Sequence, residues 1–129
     1  MENRIRSFKD LIVWQKAVVL VTDIYAVTKL FPADERFGIV SQLNRAAVSV
    51  PANIAEGWGR KSSKNYLQFL RNSRGSLMEI ETLLVISRNL NFLSSEKYIQ
   101  LSGKVEEVGK ILHGLIKSIN EKVSTIENV

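Results

Sequence analysis

Apolar residues recur at helical spacing along most of this 129-residue chain, in four successive segments. Side chains at i, i+3, i+4 and i+7 share one face of an α-helix, so this spacing predicts four amphipathic helices. No stretch of useful length alternates between apolar and polar residues as a half-buried strand does. The chain also has only 2 prolines and 7 glycines, which leaves few turns for a sheet. The pattern therefore predicts an all-α protein.

The predicted helices account for most of the chain and are joined by short turns. They span about 8–30, 34–58, 63–89 and 95–122. Pro32 ends the first helix, and Asp34 is expected to cap the second. Gly57 and Gly59 supply C-terminal cap positions for the second helix. Long helices with short connections pack as antiparallel neighbours, so the expected fold is an antiparallel up-and-down four-helix bundle, one domain over residues 1–129.

Pro51 falls in the middle of the second predicted helix. It removes the hydrogen bond to the carbonyl of Ala47 and its ring crowds that turn, so we expect a kink at Pro51 rather than a stop. Asn53 is a candidate donor to the carbonyls that Pro51 frees. Glu56 is expected to pair with Arg60 one turn later.

Two of the predicted helices carry more apolar surface than one bundle needs. The apolar arc of the first covers about half of its circumference, which suggests that it is covered on two sides. On the third helix, Leu67, Met78 and Val85 are predicted to face outward. Gly75 lies in the middle of that helix, where glycine is unfavourable unless another backbone approaches closely. The wide apolar arc of the first helix and the outward apolar residues of the third favour a homo-oligomer of side-by-side bundles.

The excess positive charge comes from one short segment. The formal net charge is +5, and no acidic residue lies between Gly57 and Gly75. The basic residues of this segment are Arg60, Lys61, Lys64, Arg71 and Arg74. Elsewhere in the chain, 13 basic residues balance 13 acidic ones. On a helical wheel Lys64, Arg71 and Arg74 fall within about 80° of one another, away from the core stripe.

These five basic residues are the candidate nucleic-acid-binding residues. Lys and Arg clustered on one face neutralise phosphates and release counterions, which gives strong and sequence-tolerant binding. No aromatic platform for stacked bases lies among them, since Tyr66 and Phe69 are predicted to face the core. A solvated charged face, or an interface anchored by arginine, explains the same cluster equally well.

Few residues of the chain suit catalysis or metal binding. Cysteine is absent, which excludes disulfides, thiolate zinc sites and cysteine nucleophiles. His113 is the one histidine, predicted on the polar face of the fourth helix, and the Glu-x-x-His pairs of di-iron bundles do not occur. Gly57-x-Gly59 follows a helix and has no third glycine in register, unlike a phosphate loop. The sequence therefore predicts no enzyme activity, no catalytic or metal-binding residue and no cofactor.

The most apolar stretch, residues 11–31, is a poor membrane span. Lys16, Asp23 and Lys29 lie inside it, and each would be costly at membrane depth. Acidic residues precede it and no small-residue cleavage site follows a short apolar core, unlike a signal peptide. We therefore expect a soluble, cytoplasmic chain with no membrane partner.

Three segments of the chain resemble a known bacterial family. They are Phe8–Ala17, Arg45–Arg60 and Tyr66–Thr82. Together they look like the four-helix-bundle proteins encoded in intervening sequences of 23S ribosomal RNA genes, which are similar to the accessory variability determinant of diversity-generating retroelements. The resemblance covers about residues 6–119, in order and with sensible spacing. The family's Pro-x-Asn-Ile-Ala-Glu-Gly stretch maps onto Pro51, Asn53, Ile54, Ala55, Glu56 and Gly57.

The resemblance implies an antiparallel bundle that assembles as a ring-like homopentamer, with a positively charged surface proposed to bind RNA or DNA. It implies neither a settled function nor any catalytic residue. The expected function is thus a non-enzymatic oligomer that contacts RNA or DNA mainly through phosphates. The alternative is an oligomeric scaffold that docks a protein partner such as a reverse transcriptase, with the arginines at subunit interfaces.

Overall fold

A computed structural model describes residues 4–127, which form four α-helices and no strand. The helices are α1 (Ile12–Thr28), α2 (Ile39–Trp58), α3 (Ser63–Asn89) and α4 (Ser95–Glu127). Two short 3-10 helices, Phe8–Asp10 and Ala33–Glu35, precede α1 and α2. The predicted all-α four-helix bundle is confirmed.

Each helix packs against two others, in a ring of contacts from α1 to α2, α3, α4 and back to α1. One apolar core lies between them. Its largest fully buried apolar side chains are Leu20, Ile24, Leu43, Ile54, Leu70, Ile80, Leu84 and Leu112. Burial of one such side chain contributes about 1.5–3 kcal/mol relative to exposure, so this core is the main source of the bundle's stability.

The connections between the helices lie at the two ends of the bundle. At one end the α1–α2 and α3–α4 connections touch, with the rings of Phe31 and Phe92 5.7 Å apart between centroids. The other end holds the start of α1, the α2–α3 turn and the C-terminal part of α4, because consecutive helices run in opposite directions. Within residues 4–127 no helix is long and apolar enough to cross a membrane.

The first two helices begin later than predicted. Ser7 and Asp10 form a capping box around residues 8–10, which closes them as a separate 3-10 helix before α1. The residue that caps α2 is Gly38, so the prediction that Asp34 caps this helix is wrong. Asp34 lies instead in the 3-10 helix 33–35, where the amide of Glu35 bonds the carbonyl of Pro32 and tightens the turn.

Helix α2 continues through Pro51, whose side chain is buried. A bend at Pro51 stays a prediction. The expected bond from Asn53 to the carbonyl freed at Ala47 is wrong: the Asn53 amide donates to the carbonyl of Ser49 at 2.8 Å. A short side chain in a helix reaches the carbonyl one turn back, whereas Ala47 lies six residues back along the chain.

Helices α2 and α3 approach closely at Gly57, whereas no other helix of the bundle approaches Gly75, where the sequence suggested a close backbone. A Cβ at Gly57 would sit 2.9 Å from Cβ of Phe69 and 2.9 Å from Cδ1 of Tyr66, so α2 and α3 touch there. A Cβ at Gly75 would meet no other atom within 4 Å. Gly75 is on the solvent side of α3, where no other helix of the bundle lies.

The outward apolar surface of α3 is smaller than predicted. Leu67 is only 3% exposed, and its predicted outward position is wrong, because α2 and α4 flank α3 on two sides and widen its buried arc. Val85 is half-buried, and Met78 is exposed as predicted. On α1 the buried stripe is narrow, while Val19 and Tyr25 remain exposed.

Candidate nucleic-acid interface

The five candidate residues lie in the α2–α3 turn and along the first half of α3. Ser62 caps α3 through a hydrogen bond from the amide of Asn65, which fixes where the helix starts. Arg60, Lys61, Lys64 and Arg71 are exposed, whereas Arg74 is half-buried. At 1.5 Å per residue, Lys64 and Arg71 are about 10 Å apart along the axis.

Arg60 is engaged within the bundle. Its Nη2 lies 2.6 Å from Oε1 of Glu56, which confirms the predicted pairing one turn apart. Its guanidinium also lies over the ring of Phe69, 4.8 Å from the centroid. Two intramolecular partners hold this side chain in place and offset its charge. Arg60 is therefore less available to a phosphate than the exposed lysines beside it.

Arg74 faces a different surface from the other four residues. It lines a groove of about 400 Å³ between α3 and α4. The groove has an apolar floor and a rim of mixed charge. The other residues that line it are Leu77, Met78, Glu81, Val105, Glu106, Gly109, Lys110 and His113. With carboxylates of Glu81 and Glu106 on the same groove, Arg74 does not belong to a uniformly positive face.

Lys64 and Arg71 share an exposed polar face with two amides that the sequence analysis did not single out. Gln68 and Asn72 are exposed, and Nε2 of Gln68 donates to Oδ1 of Asn72 at 3.3 Å. Amide side chains also donate hydrogen bonds to phosphate oxygens, without the charge or the two-pronged geometry of arginine. Because Gln68 and Asn72 follow Lys64 at helical spacing, the sequence could have identified them as part of the same face. Within residues 4–127, Arg71 makes no ion pair.

The nearby aromatic residues pack between α2 and α3. Trp58 and Tyr66 meet edge to face, 6.3 Å apart between centroids, and Phe69 lies against Gly57. All three rings are half-buried. The hydroxyl of Tyr66 is buried with no hydrogen-bond partner in the described part of the chain, and burial raises the pKa of Tyr66. None of these rings offers an open face for base stacking.

Acidic and histidine side chains do not gather into a site for a metal. In residues 4–127 no group of three or more His, Cys, Asp or Glu residues is placed to hold an ion. His113 is exposed on α4 and lines the α3–α4 groove. The chemistry that the described surface offers is that of ammonium, guanidinium and amide donors, which suits phosphate oxygens.

Comparison with known proteins identifies relatives of this fold. Residues 9–114 match the family model described as 23S rRNA-intervening sequence protein. No curated protein is significantly similar to the chain. A crystal structure of a protein with unknown function from the S23 ribosomal protein family, from Bacteroides thetaiotaomicron, is similar with a TM-score of 0.77 and 23% identity. The match covers 82% of this chain and 99% of that one, and at this identity it shows the fold.

Proposed function

This chain belongs to the family of 23S rRNA-intervening sequence proteins, and we propose that it is a non-enzymatic, oligomeric bundle that binds RNA or DNA mainly through phosphates. The family leaves the function open, and the similar crystal structure is itself of a protein with unknown function. A cytoplasmic location is part of the same proposal.

The observation that carries the proposal is the acid-free segment between Gly57 and Gly75, which supplies the whole net charge of +5. Lys61, Lys64 and Arg71 of this segment are exposed together on one stretch of the turn and α3. Exposed cations at helical spacing attract the closely spaced charges of a nucleic-acid backbone, and the release of counterions supplies the free energy of binding.

Oligomerisation is supported by apolar side chains that the single bundle leaves exposed. Val19 and Tyr25 on α1, Val48 on α2 and Met78 on α3 are each at least 43% exposed. Exposed apolar residues on the flanks of a bundle favour side-by-side contacts between copies. The resemblance supplies the number of copies, a homopentamer.

Salt dependence tests nucleic-acid binding. We expect affinity for duplex RNA or DNA to fall steeply with salt, and the double variant Lys64→Ala/Arg71→Ala to reduce the slope of log K against log salt by about 2, since each lost phosphate contact removes about 0.9. The matched control is Lys29→Ala/Lys97→Ala, two exposed lysines at the far end of the bundle. An unchanged slope in the first variant would contradict the role of these residues.

The second candidate function is an oligomeric scaffold that docks a protein partner such as a reverse transcriptase. The groove between α3 and α4 favours it, because its apolar floor and charged rim resemble the composition of a protein-binding surface. Light scattering separates the two functions. If Lys64→Ala/Arg71→Ala keeps the oligomer mass and loses affinity for nucleic acid, these residues contact phosphate; if the oligomer dissociates, they anchor subunits.

A further inference from the structure

Contacts between α1 and α4 bring sequence-distant lysines to one level of the bundle. Lys16 pairs with Glu107, Nζ to Oε1 3.5 Å, and Asp23 pairs with Lys104. Residues nearer the start of α1 thus face residues nearer the end of α4. At 1.5 Å per residue, this register sets the start of α1, at Ile12, about level with residues 111–115 of α4. Lys9 precedes α1 and Lys117 follows residues 111–115, so both lie toward the same end of the bundle.

The α2–α3 turn lies at the same end. The 3-10 helix 8–10 packs against α2 as well as α1. Thr28, at the far end of α1, bonds Asn44 near the start of α2, so residues 8–10 meet the C-terminal part of α2. Leu77 lies 4.0 Å from the Cβ position of Gly109, which sets α3 against α4 so that the start of α3 is level with the last turns of α4.

Cations from three separate segments therefore converge on this end of the bundle. We call the basic end the surface formed by Arg6, Lys9, Lys61, Lys64, Lys117 and Lys122. All six side chains are exposed. Only Lys61 and Lys64 belong to the acid-free segment of the sequence. The other four become neighbours of that segment when the chain folds.

Few free acids oppose these cations. Among side chains described at this end, the acids are Asp10, Glu56 and Glu121. Asp10 accepts hydrogen bonds from the backbone amides of Arg6 and Ser7, which lower its pKa. Glu56 is paired with Arg60. Glu121 also has a partner, so none of the three carboxylates is free.

The lysines of the basic end differ from those in the middle of the bundle. Lys16, Lys104 and Lys110 each pair with a carboxylate. In contrast, the side chains of Lys9, Lys61, Lys117 and Lys122 make no ion pair or hydrogen bond in the part of the chain that the structure describes.

The opposite end of the bundle has a more balanced charge and exposes apolar side chains. Three acids there, Asp34, Glu35 and Glu96, nearly balance the four cations Lys29, Arg36, Arg88 and Lys97. Leu30 and Phe37 are 84% and 89% exposed at that end. Among the described side chains, net positive charge is therefore greater at the basic end, and such a surface attracts polyanions.

We propose that the basic end is the docking surface for a double helix, whose two phosphate backbones it contacts with lysines from separate helices. This inference rests on the proposed nucleic-acid binding and specifies its ligand. The end of a four-helix bundle is about 20 Å across, two helix diameters. That is wider than the major groove of B-DNA, about 12 Å, so lysines on different helices reach phosphates of both strands. RNA and DNA duplexes share this backbone chemistry.

A single strand fits this surface less well. It offers one line of phosphates, and proteins that bind it gain much of their affinity from bases stacked on open aromatic rings. The aromatic residues near the basic end are half-buried: Phe8 packs edge to face on Trp14, 5.3 Å apart between centroids, and Trp58, Tyr66 and Phe69 pack against one another and α2. Phosphate contact without stacking favours the ligand with two backbones.

The test compares Lys9→Ala/Lys117→Ala with the matched control Lys29→Ala/Lys97→Ala. Fluorescence anisotropy measures affinity for an RNA duplex of about 20 base pairs, the DNA duplex of the same sequence and each single strand, from about 50 to 200 mM salt. We expect the first variant to bind the preferred duplex on the order of tenfold more weakly, with a salt slope lower by about 2. The control is expected to match the wild type, and the wild type to prefer duplex to single strand. Circular dichroism establishes that both variants are folded.

The outcomes separate this inference from the proposed function. If Lys64→Ala/Arg71→Ala weakens binding while Lys9→Ala/Lys117→Ala behaves as the control does, nucleic-acid binding stands, and contact with both backbones across the basic end is refuted. Tighter binding of single strands than of either duplex refutes the double helix as ligand. If the wild type binds none of the probes with a salt-dependent affinity, both proposals fail. Preference for the RNA or the DNA duplex supports the inference in either case and identifies the ligand.

Discussion

Two helical glycines of this bundle have opposite surroundings. Gly57 lies where α2 meets α3, and a Cβ there would be 2.9 Å from atoms of Tyr66 and Phe69 and 3.3 Å from the carbonyl oxygen of Tyr66. We expect Gly57→Ala to lower the free energy of unfolding by about 1–3 kcal/mol, because the added methyl overpacks the contact and the backbone oxygen cannot turn aside. Urea unfolding followed by circular dichroism measures it.

The control for this substitution is Gly75→Ala. A Cβ at Gly75 meets nothing within 4 Å. Alanine there gains only helix propensity and is expected to raise the free energy of unfolding by about 0.5–1 kcal/mol. If Gly57→Ala were as stabilising as Gly75→Ala, the close approach of α2 and α3 at Gly57 would be wrong. If Gly75→Ala were strongly destabilising, another subunit would contact α3 at that residue.

At the scale of single residues, side-chain pairs within one helix were predictable from the sequence, and contacts between helices were not. The pairing of Glu56 with Arg60 follows from helical spacing alone, and the structure confirms it. The close packing at Gly57, in contrast, depends on which side chains of α3 lie against it. The sequence indicated C-terminal cap positions at Gly57 and Gly59. The cap is Gly59, whereas Gly57 serves the helix contact.

Residues at the end of α2 and the start of α3 determine how much positive charge the α2–α3 turn presents. Arg60 is held by Glu56 at 2.6 Å. We expect Glu56→Gln to free the guanidinium for phosphate and to raise the salt slope of duplex binding by up to about 1. The free energy of unfolding should change by no more than about 0.5 kcal/mol, because the pair is an exposed one within a helix.

Glu107→Gln is the matched control for this variant. It removes the partner of Lys16, between α1 and α4 and away from the basic end. We expect it to leave the salt slope near that of the wild type. Equal slopes for the two variants would show that Arg60 does not contact the ligand even when released.

Among the elements, those with local stop signals were predicted best. Helix α3 begins and ends where the sequence indicated, since Ser62 caps its start and Asn91, with φ 62°, takes the left-handed conformation just after its end. The starts of α1 and α2 were placed too early. The 3-10 helix before α1 is closed by the local capping box of Ser7 and Asp10. The one before α2 follows Phe31, which is buried beside Phe92 in a tertiary contact that periodicity does not report.

At the scale of the whole molecule, the candidate site was only partly predictable. Composition alone located the acid-free segment, and helical spacing put Lys64 and Arg71 on one face. Helical spacing alone puts Glu81 on the same side of α3 as Arg74, whereas the approach of Glu106 depends on where α4 packs, which the sequence could not indicate. The same reason applies to Lys9 and Lys117, which are more than one hundred residues apart in the chain and share an end only in the folded bundle.

Hydrogen–deuterium exchange of the free protein and of its duplex complex tests the central claim most directly. Binding at the basic end predicts slower exchange in residues 4–10, 60–72 and 115–122 when an RNA or DNA duplex is added at low salt. Exchange at the opposite end, in residues 29–38 and 88–97, should stay unchanged in the same sample. Protection confined to the opposite end, or no protection at saturating duplex, would contradict the claim that this bundle binds nucleic acid through its basic end.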